Sequence, residues 1–116
     1  MFTVIIIDKI TIDELRAMSV KMSEHLIKGV VDIARRLLVV DAELHSDEEL
    51  FMLEKGSAQA DLWGVNLWPE AYGDEDFVEF DSMINIRPMQ NNRSRSVEDP
   101  DVRRIILEIV AEKIDG

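Results

Sequence analysis

Hydrophobic and polar positions change period several times along the chain, and each change marks an element. Thr3–Ile7 is a continuous β-branched run, the pattern of a buried strand. Thr11 and Glu14 then stand at capping-box spacing, and Ile10 and Leu15 at that of a hydrophobic staple, which predicts a helix opening at Thr11. Leu15, Met18, Met22 and Leu26 form its apolar stripe, and Gly29 offers a left-handed stop. Val30–Ile33 and Leu37–Ala42 are rich in β-formers and separated by Ala34-Arg35-Arg36. They read as a hairpin; the turn has no glycine or asparagine, so a helix continuing through Arg36 is the alternative. Ser46 and Glu49 repeat the capping-box spacing, so a second, short helix is expected from Ser46 to Gly56.

Asp61–Trp68 alternates, with Trp63, Val65 and Leu67 on one face and Leu62, Gly64 and Asn66 on the other. Pro69 ends that strand because it has no N–H for the ladder, and 69–75 is a loop containing Gly73. Phe77–Ile86 reads as the clearest strand. Val78, Phe80, Ser82, Ile84 and Ile86 face one way; Phe77, Glu79, Asp81, Met83 and Asn85 make a more polar face. An irregular polar stretch follows over 87–98. Asp99 then caps a last helix with Pro100 at its first position. Val102, Ile105, Ile106, Ile109, Val110 and Ile114 give it a broad apolar face, with Arg103, Arg104, Glu108, Glu112 and Lys113 opposite. This order predicts the α+β class: a small, largely antiparallel sheet with about three helices packed on one side of it.

The 116 residues suit a single globular domain over 1–116, and 47% hydrophobic residues can fill its core. The chain has no cysteine, which removes disulfides, thiol catalysis and thiolate-held metals, and fits a reducing compartment. Its net charge is −11, with both halves acidic, so nonspecific binding to nucleic acid or anionic membrane is disfavoured. Val4–Ile7 is too short for a signal-peptide core or a membrane span. A cytoplasmic location is therefore expected, with neither nucleic acid nor membrane as partner.

Against that acidic background, 87–96 contains three arginines and no acid. It leads into a helix N-terminus, and arginine forks match phosphate and carboxylate geometry. One reading is an anion-binding loop of Arg87, Arg93 and Arg95, with Asn85 and Asn92 as hydrogen-bonding partners. The other pairs these arginines with the protein's own acids, Glu79, Asp81 or Glu98. His45, beside Glu43, Asp47, Glu48 and Glu49, is an acid–base or metal candidate, or simply a neighbour of a helix start where acids are favoured. Asp81 is the second acid–base candidate. Glu79, Asp81 and Asn85 on one strand face offer ligands for a hard cation such as magnesium, or form an ordinary solvated face. Trp63 reads as core and Trp68 as an exposed partner contact. Phosphate-loop, dinucleotide, nucleophile-elbow and metal-protease motifs are all missing, so no cofactor and no metal is expected.

Several stretches resemble a family of small prokaryotic proteins known as domain of unknown function 5674. They are 42–49 (AELHSDEE), Gly56-Ser57 with 61–66 (DLWGVN), 80–88 (FDSMINIRP) and 92–100 (NRSRSVEDP). The resemblance covers most of the chain and implies no particular activity. The family pattern has glycine where this chain has Asn91, and a Glu-Lys-Gly-like turn where it has Arg35-Arg36. Asparagine also tolerates a left-handed backbone, so the first turn survives the change.

Two functions follow as expectations. The first is a non-catalytic binding or interaction module, with self-association as one form of it. The second is a small enzyme or sensor that takes a phosphorylated or carboxylate ligand on 87–95. The second requires the arginine loop, the polar strand face and His45 to converge.

Overall fold

The computed structural model describes residues 5–20 and 25–116, with side chains from Asp8 onward. In chain order the elements are β1 (Ile5–Ile7), β2 (Ile10–Thr11), α1 (Ile12–Ser19), β3 (Ile27–Asp32), β4 (Leu37–Val40) and α2 (His45–Glu54). Then come β5 (Leu62–Leu67), β6 (Val78–Glu79), α3 (Pro100–Lys113) and β7 (Ile114–Asp115). Five strands form one sheet in the order β1-β4-β3-β5-β6, each neighbouring pair antiparallel, while β2 and β7 form a short parallel pair. The class is α+β, as the element order predicts.

Alternate residues of β3 and β5 face two different layers. Ile27, Val31, Trp63, Val65 and Leu67 pack with Leu15 of α1 and Ile106, Ile109 and Val110 of α3. Val30, Val39 and Leu62 pack with Met52 and Phe51 of α2 and with Ile84. Helices therefore cover both faces of the sheet, not one, and all six residues of β5 are buried. No helix among the described residues is long and apolar enough to cross a membrane.

The Thr11 capping box forms: the Glu14 amide donates to Thr11 Oγ1 and the Thr11 amide to Glu14 Oε1, each at 3.1 Å. The helix it opens is shorter than the stripe predicts. It ends at Ser19, and Leu26 and Gly29 belong to the approach and interior of β3. (Thr3, Val4 and Met22 lie outside the described residues.) Gly29 stands between Val40 and Val65, where a Cβ would lie 3.3 Å from Leu38 Cδ1. Glycine serves close strand packing there rather than a helix stop.

Of the two readings for 30–42, the hairpin is the one formed. Asp32 Oδ1 accepts from the amides of Ala34 (3.0 Å) and Arg35 (2.9 Å), and Arg36 takes a left-handed φ of 54°. An aspartate side chain thus does the work usually given to a turn glycine. The predicted Ser46 cap does not form. The N-cap lies two residues earlier, at Leu44, with no side-chain cap bond.

The largest departure is Phe77–Ile86. Only Val78–Glu79 is strand, and Met83–Asn85 is a 3-10 turn with Ser82 Oγ accepting from the Ile84 amide. The cause lies across on β5. Asn85 Oδ1 accepts from the Gly64 amide at 2.8 Å, and Asn85 Nδ2 donates to the Gly64 carbonyl at 3.0 Å. One side-chain amide occupies the two positions a neighbouring main chain would fill. Ser82 packs on Gly64 so closely that a Cβ on Gly64 would sit 2.6 Å from it.

The last helix follows the pattern closely. Asp99 Oδ1 accepts from the Asp101 amide at 2.8 Å, Pro100 takes the first helical position, and Ile106 and Ile109 are fully buried. Arg103 is exposed, as the pattern predicts, and its guanidinium lies 4.8 Å over the Phe80 ring and donates to Ser96 Oγ at 2.6 Å.

Truncating Ile106→Ala is expected to cost about 2–5 kcal/mol and Asp99→Ala about 1 kcal/mol, both readable by equilibrium denaturation. Gly64→Ala is expected to cost about 1–3 kcal/mol by forcing Ser82 off the strand. An unchanged denaturation midpoint for Gly64→Ala would mean that 80–86 is not locked onto β5.

Candidate functional site

On the α2 face of the sheet, two cross-strand pairs of β3 and β5 decide where a cleft opens. Val30–Gly64 lies beneath α2 and the 82–85 turn, whereas Lys28–Asn66, at the end where β6 stops, is polar. There a cavity of about 410 Å³ is lined by Lys28, Asn66, Trp68, Glu79, Asp81, Ser82 and Arg95. His45 and Ser46 at the start of α2 close it, and Leu26, Leu44, Met83 and Ile84 supply apolar surface.

The polar groups form a connected set. Asn66 Nδ2 donates to Glu79 Oε1 at 2.9 Å and to the Asp81 carbonyl at 3.2 Å; Trp68 Nε1 donates to Glu79 Oε1 at 3.3 Å. Asn66 is 6% exposed, and its Oδ1 is buried without a partner among the described residues. Arg95 Nε donates to Asp81 Oδ1 at 2.7 Å. The buried His45 ring meets the Val65 carbonyl at 2.8 Å through Nε2. A carbonyl only accepts, so Nε2 carries the proton and the neutral ring keeps a lone pair on Nδ1. Burial holds this imidazole below its ordinary range, against the opposing pull of the Val65 carbonyl, and Lys28 lowers it further. Because α2 has no side-chain cap, the His45 and Ser46 amides have no hydrogen-bond partner among the described residues.

Behind the cleft sits Glu48, fully buried on α2. Its Oε2 accepts from the Ala42 amide at 3.3 Å, and its Oε1 has no partner among the described residues. Burial pushes this carboxyl well above its ordinary value, partly offset by the Ala42 amide and Lys28, with Asp41 and Asp47 raising it further.

The candidates from the sequence divide between cleft and scaffold. His45, Asp81, Arg95 and Trp68 come together at the cleft. Arg87, Arg93, Asn85 and Asn92 do not line it. Arg87 donates to the carbonyls of Gln59 (2.8 Å), Ile84 (3.0 Å) and Leu62, and lies 4.4 Å over the Trp63 ring. Asn92 Nδ2 donates to the Asn85 and Ser96 carbonyls, each at 2.7 Å, while its Oδ1 accepts from the Glu98 amide at 2.8 Å. Glu98 Oε2 accepts from the Arg93 and Ser94 amides at 2.7 and 2.8 Å, which with the Ser94 hydroxyl holds that carboxyl below its ordinary range. The Arg93 side chain points into solvent with no ion pair among the described residues. No group of three or more possible metal-ligating side chains occurs among the described residues.

Lys28 and Glu48 are not among the candidates that the sequence pattern offers. A helix running from Thr11 to a stop at Gly29 would enclose Lys28, whereas in β3 the run Ile27-Lys28-Gly29-Val30 carries one conspicuous cation. Glu48 stands in a first helical turn, where acids are favoured on electrostatic grounds, and only the packing of α2 on the sheet buries it. A second groove, about 640 Å³, runs between α3 and 72–80 and is lined mainly by apolar groups such as Phe77, Phe80 and Leu107. It lacks the convergent polar set of the first.

Over residues 4–113 the chain matches the family described as Protein of unknown function (DUF5674), and it belongs to that family. No curated protein and no solved structure matches it.

Glu48 makes stability depend on pH. Its folded-state value lies above 4.5, so the folded form retains a proton that the unfolded chain releases, and stability falls as pH rises from 4.5 through the raised value. His45 acts in the opposite sense: its value lies below 6.5, so its contribution is full above 6.5 and is lost as pH falls through the folded value. Glu48→Gln is expected to raise the unfolding midpoint over wild type near pH 8, with the gap closing toward pH 4. Equal midpoints at both pH values would mean that Glu48 ionises without penalty.

Proposed function

We propose that this protein is a non-catalytic binding module that holds a small polar ligand in the cleft between the start of α2 and the end of β6. The supporting observation is convergence. Residues from β3, α2, β5, β6 and the 87–98 loop meet around one cavity of about 410 Å³. That volume falls in the usual range for small-molecule sites, which combine apolar walls with a few placed polar groups. Trp68 gives such a ligand a flat apolar surface, and the neighbouring carboxylates, amide and cations orient it. A wholly exposed, flat surface at Trp68 would have favoured a protein partner instead.

A catalytic reading draws on a different observation. His45 keeps Nδ1 as an acceptor, and Asp81 lines the same cavity. In that reading His45 is the base, and a bound compound would turn over in wild type but not in His45→Gln.

The binding reading is tested by thermal shift on the full chain. The panel holds nucleotides, sugar phosphates, inorganic phosphate, dicarboxylates, amino acids and divalent cations, repeated with Trp68→Ala. A ligand of the folded state at a hundredfold its Kd adds about 2.7 kcal/mol, enough to move the midpoint by several degrees. The expected result is at least one shift that Trp68→Ala removes. A flat panel would count against a small-molecule cleft, and a shift that Trp68→Ala leaves intact would place the ligand elsewhere.

A further inference from the structure

We propose that the ligand is an α-amino acid with an apolar side chain, bound as its zwitterion. This rests on the cleft being the binding site and adds the class of molecule that occupies it.

The first argument is charge balance. Lys28 and Arg95 face Glu79 and Asp81 in one cavity, although the whole chain stands at −11. A phosphate or dicarboxylate site would carry a positive excess, and an amine or metal-ion site a negative one. Equal numbers of both signs match a ligand that carries both.

The second argument is open valence on each side. Glu79 accepts from Asn66 and Trp68 through Oε1, and Asp81 accepts from Arg95 through Oδ1. Each carboxylate keeps an oxygen that receives no hydrogen bond among the described residues, and these two oxygens suit an ammonium group. On the other side, Arg95 uses Nε for Asp81, and its two terminal nitrogens have no partner among the described residues. Lys28 likewise makes no ion pair among the described residues. A carboxylate fits that pair of cations.

Asn66 supplies an independent observation. It is 6% exposed and lines the cavity beside Glu79, and its Nδ2 donates to Glu79 Oε1 at 2.9 Å and to the Asp81 carbonyl at 3.2 Å, so a buried amide fixes the acidic side of the site in place. The apolar lining of Trp68, Leu26 and Leu44 then takes the side chain of the amino acid.

The test is isothermal titration calorimetry on the full chain with L-leucine, L-methionine and L-phenylalanine. It includes 4-methylpentanoate, which is leucine without its ammonium, and 3-methylbutylamine, which is leucine without its carboxylate. The matching acids and amines for the other two side chains are run in the same way. The expected result is saturable binding of at least one amino acid, with each of its truncated analogues at least about tenfold weaker. Glu79→Gln is expected to weaken the amino acid by about tenfold and to leave the acid analogue unchanged, and Lys28→Met to weaken the amino acid by about tenfold and to leave the amine analogue unchanged.

Binding of an analogue as tight as its parent would overturn the zwitterion assignment, as would the failure of all three amino acids. These failures are separable from that of the cleft itself. If the amino acids fail while another compound still gives a shift that Trp68→Ala removes, the ligand class falls and the cleft stands. If every compound fails, both fall.

Discussion

The outer edge of β5 is the constraint on which the rest of this structure depends. Alternate residues of this buried strand, Leu62, Gly64 and Asn66, direct their main-chain polar groups to that edge, and β6 provides two residues of main chain. An unpaired amide or carbonyl at that depth costs about 1–3 kcal/mol, so the edge must be satisfied by other means. β6 pairs with Asn66 and Leu67, the Asn85 amide pairs with both polar groups of Gly64, and the Arg87 guanidinium takes the carbonyl of Leu62. Side chains continue the ladder after the main chain leaves it. The absence of a side chain at Gly64 lets Ser82 and Asn85 approach closely enough to do so.

The cleft is a consequence of that substitution. After Glu79 the chain leaves the edge of β5, so Asp81 and Ser82 line the cleft instead of extending β6. The departing segment turns back over the α2 face, and Asn92 and Glu98 hold its loop through backbone groups. That loop brings Arg95 to Asp81, while the start of α2 brings in His45, anchored to Val65. The polar groups at the site are thus held by the same network that completes the sheet, which fixes their relative positions.

The arginine loop shows how far composition can lead. Three arginines and three amide side chains in one stretch resemble an anion site, and the geometry gives most of them structural partners instead. Arg87 was drawn to buried carbonyls on β5 and to the Trp63 ring, neither of which a local window can reveal. Asn91, by contrast, was legible: its φ of 61° is the left-handed value that a glycine-like position requires. The same holds for Phe77–Ile86, whose alternation was real but weaker than a long-range bond from Asn85 to Gly64. Glu48 follows the same rule, since its position in a first helical turn gives no sign that α2 lies on the sheet through that side.

Local chemistry alone determined the Thr11 capping box, the Asp99–Pro100 start and apolar face of α3, the two faces of β5 and the α+β class. Each depends on contacts a few residues apart or on a period that only one geometry satisfies. The end of α1, the short β6, the burial of Glu48 and the meeting of Lys28, His45, Asn66, Glu79, Asp81 and Arg95 were decided by tertiary structure. These depend on which distant main-chain groups lack a partner and which side chain reaches them first, and that balance is set only when the sheet and both covering layers come together.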